Sequence, residues 1–448
     1  MKKIFFIITV TGLMLSGCSK NLDIKPTQEI AEGEVFTNDA NIKAALNGAY
    51  DALSSSSLLG GDMQLYSELL GSDDEIRWAG TFNEPREIWN KAILTNNGYV
   101  SATWNAAYRA TNICNNIINA IDKVNEEDRD RVKGEALFIR GVIYFELVKL
   151  YGKPYSAGNT TANLGVQIVT TPTVGNISES NYVPRSTVQE TYDLVVADLT
   201  TAKSLLPEEN GVYATTYAAS AYLSRVYLQM EDYAKARDEA DAVIAGGYYA
   251  LNNSYASCFN NESNTDEDIF AMQVTAQDGA NDMHLFWSIP DFGGRDGDVD
   301  VEEKHLDLYE ADDERLALFY LDDQDIYRSG KWQIQYRNLP VIRLAEMYLT
   351  RAECNFRLGT AVGDSPENDI DVIRSRAGLG SLDELSLDDI ILERHLELAH
   401  EGQRVHDIKR LKGSADGFAY DANEMVFPIP ISQINAVGAT ILQQNDGY

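Results

Sequence analysis

Three groups of residues in this sequence could do chemistry, and the first lies in the C-terminal part. His400 and Glu401 begin a stretch similar to the zinc-peptidase motif H-E-x-x-H, but Arg404 stands where the second histidine ligand is required. His395 and His406 lie five and six residues from His400, whereas two histidines share one helix face at a spacing of four. The sequence therefore predicts neither a zinc peptidase nor another metal site in this segment.

The second group consists of three carboxylates, Glu393, Glu397 and Glu401, at a spacing that stacks them on one helix face. A glycosidase needs two carboxyl groups that face each other across the sugar, about 5 to 9 Å apart. Three acids along one helix are more typical of a structural ion-pair network, and they alternate with Arg394, Arg404 and Arg410. Because nucleophile motifs such as G-x-S-x-G are also missing, an exported hydrolase stays a remote alternative.

The third group, Asp296, Asp298 and Asp300, is similar to the opening of a calcium-binding loop, with Asp307 at the twelfth position. Val301 occupies the sixth position, where such a loop requires glycine, and aspartate replaces the usual bidentate glutamate. Calcium near these residues is the one cofactor that the sequence leaves open, and no other cofactor or metal is predicted.

The candidate ligand-binding residues are aromatic and polar side chains in two polar stretches of the chain. The first stretch contributes Asp74, Trp78 and Phe82, and the second contributes Phe286, Trp287 and Arg295. An exposed aromatic ring can stack on the C–H groups of a pyranose while polar neighbours bind its hydroxyls. The alternative is that these rings pin their loops to the scaffold, and the sequence leaves both interpretations open.

Cys18 is a candidate lipidation site because of the residues that precede it. Two lysines, a short apolar run over residues 4–15 and small residues before the cysteine are typical of a secretory signal. That run is too short for the roughly 20 residues of a membrane-spanning helix. Leu15-Ser16-Gly17-Cys18 resembles the lipobox of bacterial lipoproteins, in which the cysteine is acylated with fatty acids such as palmitate. The sequence predicts a signal peptide over residues 1–17 and a lipid-anchored tether over residues 18–34.

Composition narrows the possible partners of the rest of the chain. The formal net charge of −32 argues against nucleic acid and anionic membrane surfaces as ligands. The three other cysteines, Cys114, Cys258 and Cys354, are far apart and odd in number, so they form no disulfide framework. Nothing after the signal resembles a transmembrane run.

The elements that must position these residues are mainly helices. Apolar residues at three- and four-residue spacing predict helices at 38–53, 101–124, 126–151, 187–206, 215–230 and 233–245. Ser186 and Gln189 form a predicted capping box at the start of the fourth. The segment 219–248, with a turn at Glu231-Asp232, matches a tetratricopeptide-like helix pair, and 344–358 begins another. A single long helix is predicted from 387 to 411.

The predicted fold is therefore mainly α, with tetratricopeptide-like helix pairs forming a scaffold. We expect one domain over residues 35–448, with a helical scaffold at 35–250 and a C-terminal helical part at 332–448. Between them, residues 251–331 are rich in Asn, Asp, Gly and Ser and predict a loop-rich mixed insertion. Loops on a rigid scaffold are where binding residues collect, so the insertion is expected to carry the ligand face.

Several blocks in a fixed order give this chain a specific family resemblance. The strongest is Glu393-Arg394-x-x-Glu397-Leu398-x-x-Glu401-Gly402-x-Arg404-x-x-Asp407-x-x-Arg410. Others are Trp104-Asn105-x-x-Tyr108-Arg109, Tyr144-Phe145-x-Leu147-Val148-x-x-Tyr151-Gly152 and Phe427-Pro428-Ile429-Pro430. Together with the lipobox they resemble the SusD/RagB family of outer-membrane nutrient-uptake lipoproteins.

The resemblance implies a function as well as a fold. Members of this family are non-catalytic and lie at the outer membrane, lipid-anchored and exposed at the cell surface. They bind oligosaccharides and deliver them to a SusC-like, TonB-dependent β-barrel transporter, which is the expected partner. RagB-type relatives handle peptides instead, so a peptide ligand is the main alternative.

Overall fold

The computed structural model describes residues 36–173, 179–277, 279 and 281–448. Cys18, the predicted signal peptide and the tether therefore lie outside the described residues. Within the described part the chain is mainly helical, as predicted, and no helix there is long and apolar enough to cross a bilayer. The predicted boundaries of scaffold and insertion stay predictions.

The helices are α1 (Asp39–Leu53), α2 (Asp62–Leu70), α3 (Asn83–Trp89), α4 (Gly98–Asn119), α5 (Glu126–Tyr151), α6 (Val188–Leu205), α7 (Thr216–Gln229), α8 (Tyr233–Gly246), α9 (Asp282–Trp287), α10 (Glu303–Leu306), α11 (Leu344–Leu358), α12 (Pro366–Arg376), α13 (Leu387–Glu397), α14 (Arg404–Arg410) and α15 (Ile431–Val437). The strands are β1 (Ile76–Trp78), β2 (Leu164–Gln167), β3 (Arg185–Thr187), β4 (Asp268–Met272), β5 (Val299–Val301), β6 (Phe319–Leu321), β7 (Tyr327–Ser329), β8 (Leu339–Arg343), β9 (Ser414–Ala415) and β10 (Phe418–Ala419).

Helix α5 is the centre of the scaffold. From Gly134 to Tyr151 all of its residues are buried, and it packs against α1, α4 and α6. Arg140 in α5 donates two hydrogen bonds to Asp198 of α6 (2.7 and 2.8 Å) and one to Asn115 of α4 (2.8 Å). Because charge-assisted, bidentate hydrogen bonds are both strong and directional, this buried cluster fixes the three helices relative to one another.

The predicted helix pair is formed by α7 and α8, which pack together, and α8 also packs against α11. Glu231 adopts a positive φ of 59° at the predicted turn, and the Asp232 side chain accepts a hydrogen bond from the Lys235 amide at the start of α8. The predicted capping box is displaced by one residue. Thr187 and Glu190, rather than Ser186 and Gln189, cap α6.

The prediction of one long helix from 387 to 411 is wrong. The chain forms α13 and α14, separated by a turn in which His400 and Gly402 have positive φ values of 62° and 82°. This turn packs on α2, where the Gly402 amide donates a hydrogen bond to Glu68 Oε1 (2.8 Å). A side chain at Gly402 would come within 2.7 Å of Gln64 Cα, so the turn needs glycine for both space and conformation.

The insertion is joined to the scaffold by strands. A four-stranded sheet has the order β1-β5-β7-β6, and its first strand comes from the N-terminal half of the chain. β1 and β5 are antiparallel, with Trp78 opposite Val299. Within the insertion, β4 pairs with β8 of the C-terminal part. Insertion residues are therefore held by regular hydrogen bonding as well as by loops.

Glu393, Glu397 and Glu401 form the predicted ion-pair network. Arg315 lies 2.6 Å from Glu393, and Arg376 contacts Glu397. Arg343 lies 3.0 Å from Glu397 and 2.8 Å from Glu401. Lys331 lies 2.7 Å from Glu401. Burial alone would raise the pKa of Glu397, but the surrounding arginines outweigh it and lower the pKa to about 2. These acids are therefore structural and not free for catalysis.

Candidate ligand-binding face

Three of the aromatic residues proposed from the sequence are core residues. Trp78 is 2 % exposed, its ring packs edge-on against Phe286 at 5.5 Å between centroids, and its indole N–H donates to the Phe82 carbonyl (3.1 Å). Phe286 and Trp287 lie in α9 and are also buried, with Trp287 against the ring of His400 (4.4 Å). The expectation that these rings are exposed is wrong, because Trp78 packs on Phe286 and Trp287 packs on His400, in each case from a distant part of the chain.

Phe82 is the exposed member of the group, with 38 % of its surface accessible. The guanidinium of Arg295 lies over its ring, 3.9 Å from the centroid, and also contacts the side chains of Thr81 and Asp298. A cation over an aromatic face is favourable, and here it joins the two predicted stretches. Phe82 and Arg295, far apart in sequence, are thus brought together as a polar-flanked aromatic surface.

Asp74 is exposed but belongs to a different turn. Its backbone amide donates to Asp416 Oδ1 (3.0 Å), and the neighbouring Ser72 hydroxyl donates to Asp416 Oδ2 (2.8 Å). Both Asp73 and Asp74 adopt positive φ values, of 44° and 58°. Asp74 therefore helps to anchor this turn to Asp416.

Tyr99, at the start of α4, extends the surface beside Phe82, with 6.5 Å between ring centroids. Burial raises the pKa of Tyr99, and the carboxylates of Asp62 and Asp282 raise it further, whereas Arg295 lowers it. Sequence analysis did not single out Tyr99, because it falls at ordinary helical spacing.

Asp62 and Asp282 form a buried carboxyl pair next to this surface. Burial and the neighbouring Asp282 carboxyl raise the pKa of Asp62 well above its usual range, and burial raises that of Asp282. Two neighbouring carboxylates do not both ionise easily, because their negative charges repel each other. Because Asp62 is buried, it offers no accessible acid to a substrate.

A polar cavity of about 300 Å³ opens beside Asp282. Its walls are Asp51, Ser54, Ser55, Ser56, Gly60, Gln273, Val274, Gly279, Asn281 and Asp282. This volume is at the lower end of the range for small-molecule sites. We define Phe82, Arg295, Tyr99 and this cavity as the candidate ligand-binding face.

Local sequence explains how the cavity forms. Helix α1 ends before a run of four serines, and the amide of Asp282 donates to the Gly60 carbonyl (3.0 Å), which joins that run to α9. Asn281 caps α9 by accepting a hydrogen bond from the His284 amide (2.7 Å). The serine run followed by Gly60-Gly61 is the signal from which sequence analysis could have located this wall.

The calcium donor set predicted at residues 296–300 does not fit a calcium ion. Asp298 pairs with Arg295, and Asp300 pairs with Arg328 (2.6 Å) and Arg77. Only Asp296 is exposed. Because the two buried carboxylates are already neutralised by arginines, they serve the sheet around β5 and not a hard cation.

Comparison with protein families gives two matches along the chain. The model described as "Starch-binding associating with outer membrane" matches residues 20–228, and the SusD family model matches residues 320–426. The stretch between them contains most of the insertion, which contributes Arg295, Asn281 and Asp282 to the candidate face.

The chain is also similar to individual SusD-like proteins. The chain is 27 % identical to SusD-like protein P2 of Formosa agariphila over 100 % of both chains. It is 34 % identical to the starch-binding protein SusD of Bacteroides thetaiotaomicron, over 25 % of this chain and 22 % of that one. The crystal structure of a SusD superfamily protein from B. thetaiotaomicron superimposes with a TM-score of 0.77 and 25 % identity, covering 91 % of this chain and 99 % of that chain.

Proposed function

This chain belongs to the SusD/RagB family, and we propose that within it the protein is a non-catalytic lipoprotein that captures oligosaccharides at the outer membrane. It then delivers them to a SusC-like, TonB-dependent transporter. The starch-binding description of the family model supports a carbohydrate ligand in preference to the peptides that RagB-type relatives handle.

The observation that carries this proposal is the exposed Phe82 ring with the guanidinium of Arg295 over it. A pyranose presents an apolar face of C–H groups and a rim of hydroxyls. Phe82 and Tyr99 supply rings for stacking, while Arg295, Asn281 and the serine wall supply hydrogen-bonding groups for the rim. The protein's strongly negative charge disfavours anionic sugars, so we expect neutral oligosaccharides.

The test is binding of a panel of neutral oligosaccharides to wild-type protein and to Phe82→Ala. Stacking of a nucleic-acid base on an aromatic side chain contributes about 1–3 kcal/mol to the binding free energy. We expect a stacked sugar to contribute a similar amount. Phe82→Ala should then weaken binding by roughly ten- to hundred-fold, with the melting temperature almost unchanged because the ring is exposed.

Tyr213→Ala is a matched control, because Tyr213 is an aromatic residue with the same 38 % exposure in a different loop. Its substitution should leave sugar affinity unchanged. Arg295→Ala should weaken binding together with Phe82→Ala, since the two side chains are in contact. Equal loss of affinity in Tyr213→Ala and Phe82→Ala would argue against this face as the site.

A peptide library tested in parallel separates the main alternative. Peptide binding that depends on Phe82, with no binding of sugars, would favour the RagB-type function. Release of reducing ends from any bound oligosaccharide would favour the remote hydrolase alternative. Binding of neither ligand class to correctly folded protein would overturn the proposed function.

A further inference from the structure

Three of the chain's five histidines gather around one buried carboxylate. His305 comes from α10 in the insertion, His395 from α13, and His400 from the turn after α13, while Glu75 precedes β1. Sequence spacing could not show this cluster, because the four residues come from three distant parts of the chain. The proposed sugar site makes no use of them.

The distances within the cluster are short. Glu75 Oε2 lies 2.8 Å from His305 Nδ1 and 2.6 Å from His395 Nε2. The three ligand-type atoms all lie within 4.8 Å of one another. Two imidazole nitrogens and one carboxylate oxygen are a common donor set for zinc. Around a tetrahedral ion such donors stand about 3.3 Å apart, so a shift of roughly half an ångström at Glu75 would admit the metal.

We propose that Glu75, His305 and His395 bind a divalent transition-metal ion of the zinc class. The site is independent of the sugar-binding proposal and would be structural. The ligands would join the segment before β1, the insertion and the C-terminal helix α13, which otherwise meet only through non-covalent packing.

The surroundings of the three ligands fit this assignment. Arg404 donates to Glu75 Oε1 (2.6 Å), which orients the carboxylate and leaves Oε2 for the metal. His305 Nε2 lies 3.3 Å from the Tyr309 hydroxyl, and that hydroxyl lies 3.2 Å from the Leu396 carbonyl. When His305 Nδ1 binds metal, its proton moves to Nε2 and can be donated to Tyr309. Such partners on the far nitrogen of a ligating histidine are typical of metal sites.

A cavity of about 10 Å³ adjoins the cluster, and its walls include Glu68 and His400. That volume holds one water or ion and no substrate, which argues for a structural site and against a catalytic one. Neither ring nitrogen of His400 has a hydrogen-bond partner among the described residues. Because His400 is buried and lies 4.9 Å from the ring of His305, it is placed to hold a water that completes the metal's coordination.

His395 provides the route by which an ion reaches the cluster. Its side chain is 15 % exposed and lines a second cavity of about 220 Å³ with Ile391, Arg404 and Asp407. One side of this imidazole therefore faces the larger cavity, while its Nε2 contacts Glu75. The buried ligands would be reached by rotation of this one residue.

The experiment uses the full-length protein in detergent, treated with EDTA and then dialysed. Calorimetric titration with ZnCl2 should show one equivalent bound, and CoCl2 should give visible absorption bands typical of four-coordinate cobalt. His305→Gln and His395→Gln should each weaken Zn²⁺ binding by more than about 100-fold, since outer partners alone contribute about 10- to 100-fold. Tyr309→Phe should weaken Zn²⁺ binding by about 10- to 100-fold, because Tyr309 is such an outer partner.

His406→Gln is the matched control, because His406 is buried in α14 but belongs to no such cluster. It should bind Zn²⁺ like the wild type. Zn²⁺ should raise the melting temperature of the wild type and of His406→Gln, but not of His395→Gln. His395 is the least buried ligand, so this variant decides the question even if His305→Gln does not fold.

Several results would overturn the proposal. One is the absence of saturable binding of one Zn²⁺ to the wild type. The others are an unchanged Zn²⁺ affinity in His395→Gln, or a loss of Zn²⁺ affinity in His406→Gln equal to that in His395→Gln. Calcium binding as tight as zinc binding would also contradict it, because Ca²⁺ prefers oxygen ligands. If the wild-type protein binds Zn²⁺ but no sugar, only the proposed function is refuted, so the two proposals can fail independently.

Discussion

Trp78 and Phe82 lie four residues apart and have opposite surroundings. The indole of Trp78 is buried against Phe286 and donates its N–H to the carbonyl of Phe82, whose own ring is exposed. Trp78 is therefore a positioning residue: it fixes the backbone that presents Phe82. A residue that supports a binding loop in this way is expected to affect both stability and affinity when removed.

Trp78→Ala should destabilise the protein by about 3–5 kcal/mol, because it removes a large buried ring and leaves a cavity. The measurement is urea-induced unfolding, together with sugar affinity. Trp78→Phe, which keeps a ring but loses the hydrogen bond to Phe82, should cost less. Unchanged stability in Trp78→Ala with abolished sugar binding would show instead that the indole is reached by ligand.

At this scale the sequence singled out two residues that the structure brings together, Phe82 and Arg295. An aromatic side chain in a polar stretch is unusual, and Arg295 follows the aromatic pair of the second polar stretch. The sequence could not show that Trp78, Phe286 and Trp287 are buried, because their burial depends on contacts between distant segments. Trp78 packs on Phe286, and Trp287 packs on His400. The cluster around Glu75 could not be predicted for the same reason, because its residues are distant in sequence.

Helices α13 and α14 show what sequence periodicity can and cannot predict. Helices α5 and α11 begin and end at the predicted residues because their apolar spacing is regular and long. The spacing also continues through residues 398–403, where the chain turns. That break is imposed by contact with Glu68 of α2, which local periodicity does not report.

Gly402→Ala should therefore destabilise the protein strongly, because alanine at this position is strained and also clashes with α2. Gly359→Ala is a matched control: Gly359 has a similar positive φ of 63°, but a side chain there meets nothing within 4 Å. Gly359→Ala should lower the free energy of unfolding by about 1–2 kcal/mol, from the strained backbone conformation alone. Equal unfolding free energies for the two variants would mean that the turn does not need its close approach to Gln64.

The ion pairs that connect α13 to β8 and α12 predict a pH dependence. Glu397 stays ionised in the folded protein down to pH about 2, whereas in the unfolded chain glutamate titrates near about 4.3. Its stabilising contribution is therefore present above pH 4 to 5 and lost as the pH falls towards 2. A shift of this size corresponds to about 3 kcal/mol.

Glu397→Gln tests this dependence. The variant should be less stable than the wild type at pH 7, since it leaves arginines poorly paired, and the difference should narrow between about pH 5 and pH 3. Unfolding in urea at several pH values measures it. Glu384→Gln, at an exposed glutamate, should follow the wild type throughout. A constant difference between Glu397→Gln and wild type across this range would contradict the ion-pair assignment.

At the scale of the whole molecule, the predicted lipid anchor at Cys18 would determine where the candidate binding face operates. Cys18→Ala should release the protein from the membrane fraction, because acyl chains contribute about 0.8 kcal/mol per buried methylene group and nothing else predicted holds the chain there. Fractionation followed by immunoblotting measures this. Ser19→Ala leaves the lipobox intact and should remain with the membrane. Retention of Cys18→Ala in the membrane fraction would show that another contact anchors the protein.

Membrane anchoring also bears on the proposed partner. Two proteins confined to the same membrane meet at a high effective concentration, so even a modest contact surface can hold them together. Tagged protein solubilised in mild detergent should then recover a large β-barrel transporter as its main partner, identified by mass spectrometry. An unrelated tagged lipoprotein from the same membrane is the control and should not recover it. Recovery of the tagged protein alone, while other outer-membrane complexes survive the same detergent, would contradict delivery to a transporter and leave a free-standing binding protein.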